Sequence, residues 1–264
     1  MRREIYVKIK ELPTRPGLVD LNHNHMPIRK VQFANGEFYH ITKRGIEKRE
    51  IFLDDEDYFR FVNSLLIFND KMSAPWASRG FWRQRDPASL CTSEYKPKVP
   101  IVEIHAFALM PNHFHLLVRQ LVDNGIVLFM QKLGGYSYYF NKKYEREGTL
   151  FQNRYKIKRV KSEEQLENNF VYINTNPISI IESGWKEGKV EDVRKTIEFL
   201  ENKYRWSSYW DYIGKKNFPS VITKDFFLEF FGEEEKIREK IESWILYKLE
   251  SEASTRPGLV DFED

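Results

Sequence analysis

Two apolar runs, VPIVEIHAFALM (99–110) and HFHLLVRQ (113–120), are separated only by Pro111-Asn112. Both runs suit β-strands, and Pro-Asn is turn chemistry. So short a link leaves no room for a crossover connection, so the strands must pair antiparallel. This hairpin constrains everything around it. Upstream, FYHITKRG (38–45) reads as a strand. LDDEDYFRFVNSLLIFND (53–70) reads as a helix, with Asp54 or Asp55 as cap and Phe59, Val62, Leu65 and Leu66 on one face. Downstream, residues 124–148 read as a helix loosened by Gly134-Gly135 and ended by Gly148. RYKIKRVKS (154–162) alternates like an edge strand. SEEQLENNFVYINTNP (162–177) opens with Ser162 and Gln165 in capping-box spacing and stops at Pro177. The order strand, helix, hairpin, helix, strand, helix predicts an α+β fold. Its plan is a ferredoxin-like, four-stranded antiparallel sheet with helices packed on one face. From about Gly188 the chain reads as a helical C-terminal extension.

The 264 residues, 41% hydrophobic and 31% charged, fit a soluble folded chain. Expected boundaries are an N-terminal segment (1–30), a catalytic domain (31–187) with an inserted polar loop (71–98), the extension (188–250) and a tail (251–264). In the inserted loop, Trp76, Phe81 and Trp82 lie beside Arg79, Arg83 and Arg85, which suits either base stacking or packing. No apolar run reaches membrane-spanning length, so no membrane partner is expected. MRREIYVKIKELP has no long apolar core, so no secretory signal is expected. Cys91 is the only cysteine, which excludes an internal disulfide and fits a cytoplasmic location.

Net charge is only +3, but its distribution is uneven. Between Lys132 and Lys161 there are nine basic residues against two acids, while the stretch from Glu229 to Glu252 is acidic. A basic centre points to a polyanion partner for one face; a solvated charged helix and strand is the plainer alternative.

Side chains alternate along a strand, so His113 and His115 share a face and Phe114 points away. Paired imidazoles can ligate one divalent ion. They can equally be structural, and His23-Asn24-His25 repeats the spacing in a loop-like stretch. Two histidines do not complete a coordination shell. Tyr172 and Asn176, four apart on the last helix of the core, project from one face. They are either chemistry-bearing or a packed aromatic followed by a C-cap before Pro177.

Taken together, YHITKRG, IFLDDEDYFRF, FALMPNHFHLLV, GTLFQNRYK, VYINTNP and RWSSYWDY resemble the single-tyrosine HUH transposases. The similar branch is the one associated with repetitive extragenic palindromes. These stretches run in the family's order from about 39 to 212. The resemblance implies that Tyr172 is the catalytic nucleophile. It also implies that His113, His115 and Asn176 are catalytic metal ligands, where related branches place glutamine at the third position. Tyr136, Tyr138 and Tyr139, on the preceding helix, are decoys by this mapping. The implied activity is cleavage and rejoining of single-stranded DNA at palindromic hairpins through a 5′-phosphotyrosine. Mg²⁺ or Mn²⁺ is the implied cofactor and hairpin DNA the partner, and the family allows a homodimer. Lys43, Arg44, Arg154, Lys156, Lys158, Arg159 and Lys161 are candidate phosphate contacts. His105 and His40 are candidate accessory groups. The competing readings are a rolling-circle initiator or relaxase and a non-catalytic hairpin-binding regulator.

One repeat stands apart. Thr14-Arg15-Pro16-Gly17-Leu18-Val19-Asp20 recurs as Thr255-Arg256-Pro257-Gly258-Leu259-Val260-Asp261. Its first six residues can be encoded as ACA AGG CCT GGC CTT GTN, whose arms ACAAGGCC and GGCCTTGT are reverse complements. The heptapeptides are thus either similar terminal turns or translated DNA palindromes.

Overall fold

The computed structural model describes residues 32–72, 97, 99–152 and 154–250. The inserted loop from 73 on, His23, His25, Cys91 and both heptapeptides lie outside the described residues.

Four strands form one antiparallel sheet: β1 (Phe38–Arg44), β2 (Val102–Met110), β3 (His113–Gln120) and β4 (Lys156–Arg159). Their spatial order is β2-β3-β1-β4, the ferredoxin-like order expected from the hairpin. The register pairs Thr42 with His115, Arg44 with His113, and Thr42 with Lys156. His40, Thr42, Arg44, His113, His115, Lys156 and Lys158 therefore share one face. Tyr39, Ile41, Phe114, Leu116 and Val118 line the other.

Helix α1 (Asp55–Ile67) starts where Asp54 accepts from the Asp57 amide at 3.0 Å. Its Phe61 packs on Phe114, ring centroids 4.7 Å apart. The expected helix 124–148 is two helices, α2 (Gly125–Leu133) and α3 (Tyr136–Lys143), broken at the glycine pair. Gly148 lies beyond the end of α3 and does not cap it. Tyr136 of α3 meets Phe61 at 5.1 Å, so this layer covers the Phe114 face.

Helix α4 (Glu163–Thr175) covers the opposite, histidine face, so the sheet is sandwiched rather than covered on one side. Two features permit this. Ala106 and Ala108 of β2 are fully buried small residues on that face and let a helix approach closely. β2 is also apolar along nearly its whole length, as a strand buried on both faces must be. Ser162 caps α4 by accepting from the Gln165 amide at 3.2 Å, and Gln165 Oε1 accepts from the Lys161 amide at 2.9 Å.

The extension contributes α5 (Val193–Glu198), which runs into a π-turn, then α6 (Tyr209–Tyr212), α7 (Asp225–Phe231) and α8 (Glu234–Glu250). It seals the free edge of β2. Leu109 N–H donates to Trp206 O at 2.9 Å, and Ser208 N–H to Phe107 O at 3.0 Å. Thr223 N–H donates to Ile104 O at 2.8 Å. An edge strand left bare would invite foreign pairing. Trp206 and Tyr209 are buried in the shared core, as packing rather than base-stacking residues. Among the described residues, no helix is long and apolar enough to cross a membrane.

Candidate active site

The site lies between the histidine face of the sheet and α4. The hairpin turn begins it. Asn112 Nδ2 donates to Lys48 O at 3.1 Å, which aims Oδ1 at His113 Nδ1, 2.6 Å away. His113 Nδ1 is thereby the protonated nitrogen, and Nε2 keeps its lone pair. His115 Nδ1 lies 3.0 Å from His40 Nε2 and 3.1 Å from Thr42 Oγ1. The two ring centroids of His113 and His115 are 4.9 Å apart.

From the helix, Tyr172 places its ring 5.6 Å from His115 and 5.9 Å from His40, edge-on to both. Asn176 is the C-cap residue of α4, its N–H returning to Tyr172 O, and its side chain is buried as well. The cap role and the site role coexist in one residue.

Three buried acceptor atoms here have no hydrogen-bond partner: His113 Nε2, His115 Nε2 and Asn176 Oδ1. Leaving one such group unpaired costs about 1–3 kcal/mol. Two neutral imidazoles and an amide oxygen are donors that would suit a divalent cation. Among the described residues, no three His, Cys, Asp or Glu side chains gather into a metal site. An amide oxygen would complete such a set, and the residues present fit a phosphate-bound Mg²⁺ or Mn²⁺.

The electrostatics keep the imidazoles neutral. Burial first, then Arg44 and Lys186, pull His113 down to about 3. Burial and the neighbouring His113, His40, Lys186 and Arg44 hold His115 well below the usual imidazole value. His40 is drawn to about 4, by burial and then Lys158, against the hydrogen bond it donates to Asn169. Burial raises the Tyr172 phenol, while Asn176 and Arg44 oppose the rise. Lys186, which sequence reasoning missed, is pulled down by partial burial and then by Arg44. A single lysine in the loop after α4 carries no pattern that would single it out.

These shifts set a pH dependence for the metal-free protein. Between the folded and unfolded values, the unfolded chain binds protons on His40 and His113 that the native state refuses. Stability is therefore full above about 6.5 and declines as pH falls toward about 4 for His40 and 3 for His113. At pH 5 each group should have removed about 2 kcal/mol. Urea unfolding at pH 7 and pH 5 measures this, and equal midpoints would mean that the imidazoles titrate normally.

Several candidates are not at this site. His105 is fully buried in the β2 bulge, between Ile104 and Ala106, 5.0 Å from Phe38 and 5.4 Å from Phe226. Its ring is held by Thr223 O at 3.0 Å and Glu103 at 3.3 Å, a structural role. Lys43 points to the far face, 5.0 Å above the Phe151 ring. Arg159 also faces away and pairs with Glu37 at 2.6 Å. Arg44, Lys156 and Lys158 are on the histidine face, and exposed Arg154 and Lys161 flank β4. Tyr136 donates to Ile51 O at 2.6 Å and Tyr139 to Asp57 at 3.1 Å, both in the opposite layer. Tyr138 is exposed on that same helix.

Residues 94–176 match the family described as "Transposase IS200 like". A solved structure described as "Structure of the REP associates tyrosine transposase bound to a REP hairpin" is similar at 13% identity and a TM-score of 0.40. The likeness covers 76% of this chain and 93% of that one. No curated protein sequence matches. The stretch similar to that family spans the hairpin, β4 and the whole of α4 with Asn176.

Proposed function

We propose that the chain cleaves and rejoins single-stranded DNA at palindromic hairpins, with Tyr172 as nucleophile. The observation that carries this reading is the meeting of three unpartnered buried donors, His113 Nε2, His115 Nε2 and Asn176 Oδ1, beside the Tyr172 phenol. Tyr172 attacks phosphorus, its O–P bond forms, and the P–O3′ bond breaks. The phenol gives up a proton and the departing 3′ oxygen gains one. Because a phosphodiester-like bond is kept on the tyrosine, the reverse attack by a 3′ hydroxyl rejoins the strand without an external energy source. His113, His115 and Asn176 would hold Mg²⁺ or Mn²⁺, which when bound polarises the scissile phosphate and offsets its gathering charge. Arg44 and Lys186 add positive charge on the same side, and Asn176 favours the phenolate.

The strand's flanking phosphates are met by Lys156 and Lys158, with Arg154 and Lys161 beside them. The contact set is testable by salt dependence. Replacing both Lys156 and Lys158 by alanine should flatten the slope of log affinity against log salt by about 0.7 per lost contact. Lys43→Ala, whose side chain faces the other way, should leave the slope as it is.

The deciding experiment incubates the protein with single-stranded hairpin oligonucleotides, one of them encoding the repeated heptapeptide, with and without Mn²⁺. A denaturation-resistant protein–DNA adduct that requires both the single strand and the ion is expected. Hairpin binding without any adduct would favour the non-catalytic regulator instead.

A further inference from the structure

Helix α4 touches the site at three points along one face: Asn169, Tyr172 and Asn176, spaced i, i+3 and i+7. The last two are used in the reading above, and Asn169 is not. It is buried, and its Nδ2 donates to Gln165 O at 2.6 Å. Its Oδ1 is then the end left to accept. Its partner is His40, buried on β1, whose Nε2 lies 3.0 Å from His115 Nδ1.

Two proton arrangements can satisfy the contact between two imidazoles. In the first, His115 Nδ1–H donates to His40 Nε2, and His40 Nδ1–H donates to Asn169 Oδ1. His115 Nε2 then carries a lone pair. In the second, His40 Nε2–H donates to His115 Nδ1, and His115 Nε2 holds the proton and cannot ligate. With His40 Nε2 on His115 at 3.0 Å, Nδ1 is the nitrogen left for Asn169, and an accepting Oδ1 there selects the first. Thr42 Oγ1, 3.1 Å from His115 Nδ1, does not select by itself, because a hydroxyl both donates and accepts.

We propose that His40 is a positioning residue: the line Asn169–His40–His115 fixes His115 as its Nδ1–H tautomer and presents Nε2 to a divalent cation while α4 is docked. This rests on the metal-site reading of His113, His115 and Asn176. It adds that the helix bearing the nucleophile also readies a ligand on the sheet, so docking of Tyr172 and competence of the cation site are coupled. Carboxylate or carbonyl partners that orient ligating histidines typically change metal affinity 10–100-fold when removed.

The first test needs no variant. Long-range proton–nitrogen correlation spectra of the metal-free, histidine-labelled protein should show Nδ1 protonated and Nε2 bare on both His40 and His115. A His115 ring protonated on Nε2 overturns the proposal. The second measures Mn²⁺ affinity by titration. His40→Phe and Asn169→Leu should weaken it about 10–100-fold, and Asn169→Asp, which restores an accepting oxygen, should recover most of the loss. Wild-type affinity in His40→Phe together with a loss in Thr42→Val would transfer the role to the hydroxyl and overturn the proposal. A wild-type protein that binds no Mn²⁺ would instead remove the metal-site reading, while the tautomer spectrum still judges the hydrogen-bonded line.

Discussion

Tyr172→Phe should abolish the covalent protein–DNA adduct while leaving hairpin binding nearly intact. The substitution removes one oxygen and keeps the ring, so the edge-on contacts to His115 and His40 at 5.6 and 5.9 Å survive. Tyr172 is only partly buried, and losing its hydroxyl should change stability by about 1 kcal/mol or less. The chemistry has no substitute. The remaining nearby tyrosines on α3 are held by Ile51 O and Asp57 on the far side of the sheet or face solvent. Removing a nucleophile outright costs a factor on the order of 10⁴–10⁶ in turnover, which places the variant below detection on a denaturing gel. Undiminished adduct in Tyr172→Phe would move the nucleophile elsewhere and dissolve the proposed site. His113→Ala gives the complementary result: the phenol remains, but one of the three donors is gone, so adduct yield should fall with a raised Mn²⁺ requirement.

How far this was legible in the chain depends on which physical rule governed each part. The hairpin was legible because a two-residue link admits one pairing. The shared face of His113 and His115 was legible because alternation along a strand is fixed. Helical spacing puts Tyr172 and Asn176 on one face, but their expected roles come from the family resemblance, and only the coordinates bring that helix onto the histidine face. The apolar run of β2, too continuous for a half-exposed strand, was the available sign that both faces would be covered. Charge alone groups Lys43 and Arg159 with the phosphate contacts. Alternation separates Lys43 from Arg44 and Arg159 from Lys158, but which face of β4 meets the histidines needs the register between β1 and β4, which no local pattern encodes. His105 was obscured by the bulge, which inserts a residue and breaks the alternation that a strand reading assumes. The role proposed for His40 depends on Asn169, 129 positions later in the sequence and hydrogen-bonded to it in the fold.

Phe227→Ala should cost about 3–5 kcal/mol and lower the midpoint of thermal unfolding by roughly 6–20 °C. Phe227 is fully buried at the centre of an aromatic cluster formed by α7 against the core. Its ring stacks on Phe170 at 4.2 Å and meets Tyr212 edge-on at 6.2 Å. Phe170 also packs on Tyr212, at 4.8 Å, and Tyr212 donates to His105 O at 2.6 Å. Removing the ring therefore empties a space bordered by α4, α6, α7 and the β2 bulge. The rings that border it, Phe170, Tyr212, Phe230 and Phe231, are packed on one another, so relaxation is limited and the cavity penalty adds to the lost transfer energy. The consequence reaches the active site because Phe170 sits two residues before Tyr172. The ring of Phe227 braces the helix from behind while Tyr172 and Asn169 face the histidines. The variant should lose adduct formation at temperatures where it is still folded, since a loosened α4 misplaces the phenol before the sheet melts. Phe227→Leu, which refills part of the volume, should recover a large share of both losses. A variant with unchanged unfolding and full adduct yield would mean that the extension is held to the core by contacts other than this cluster.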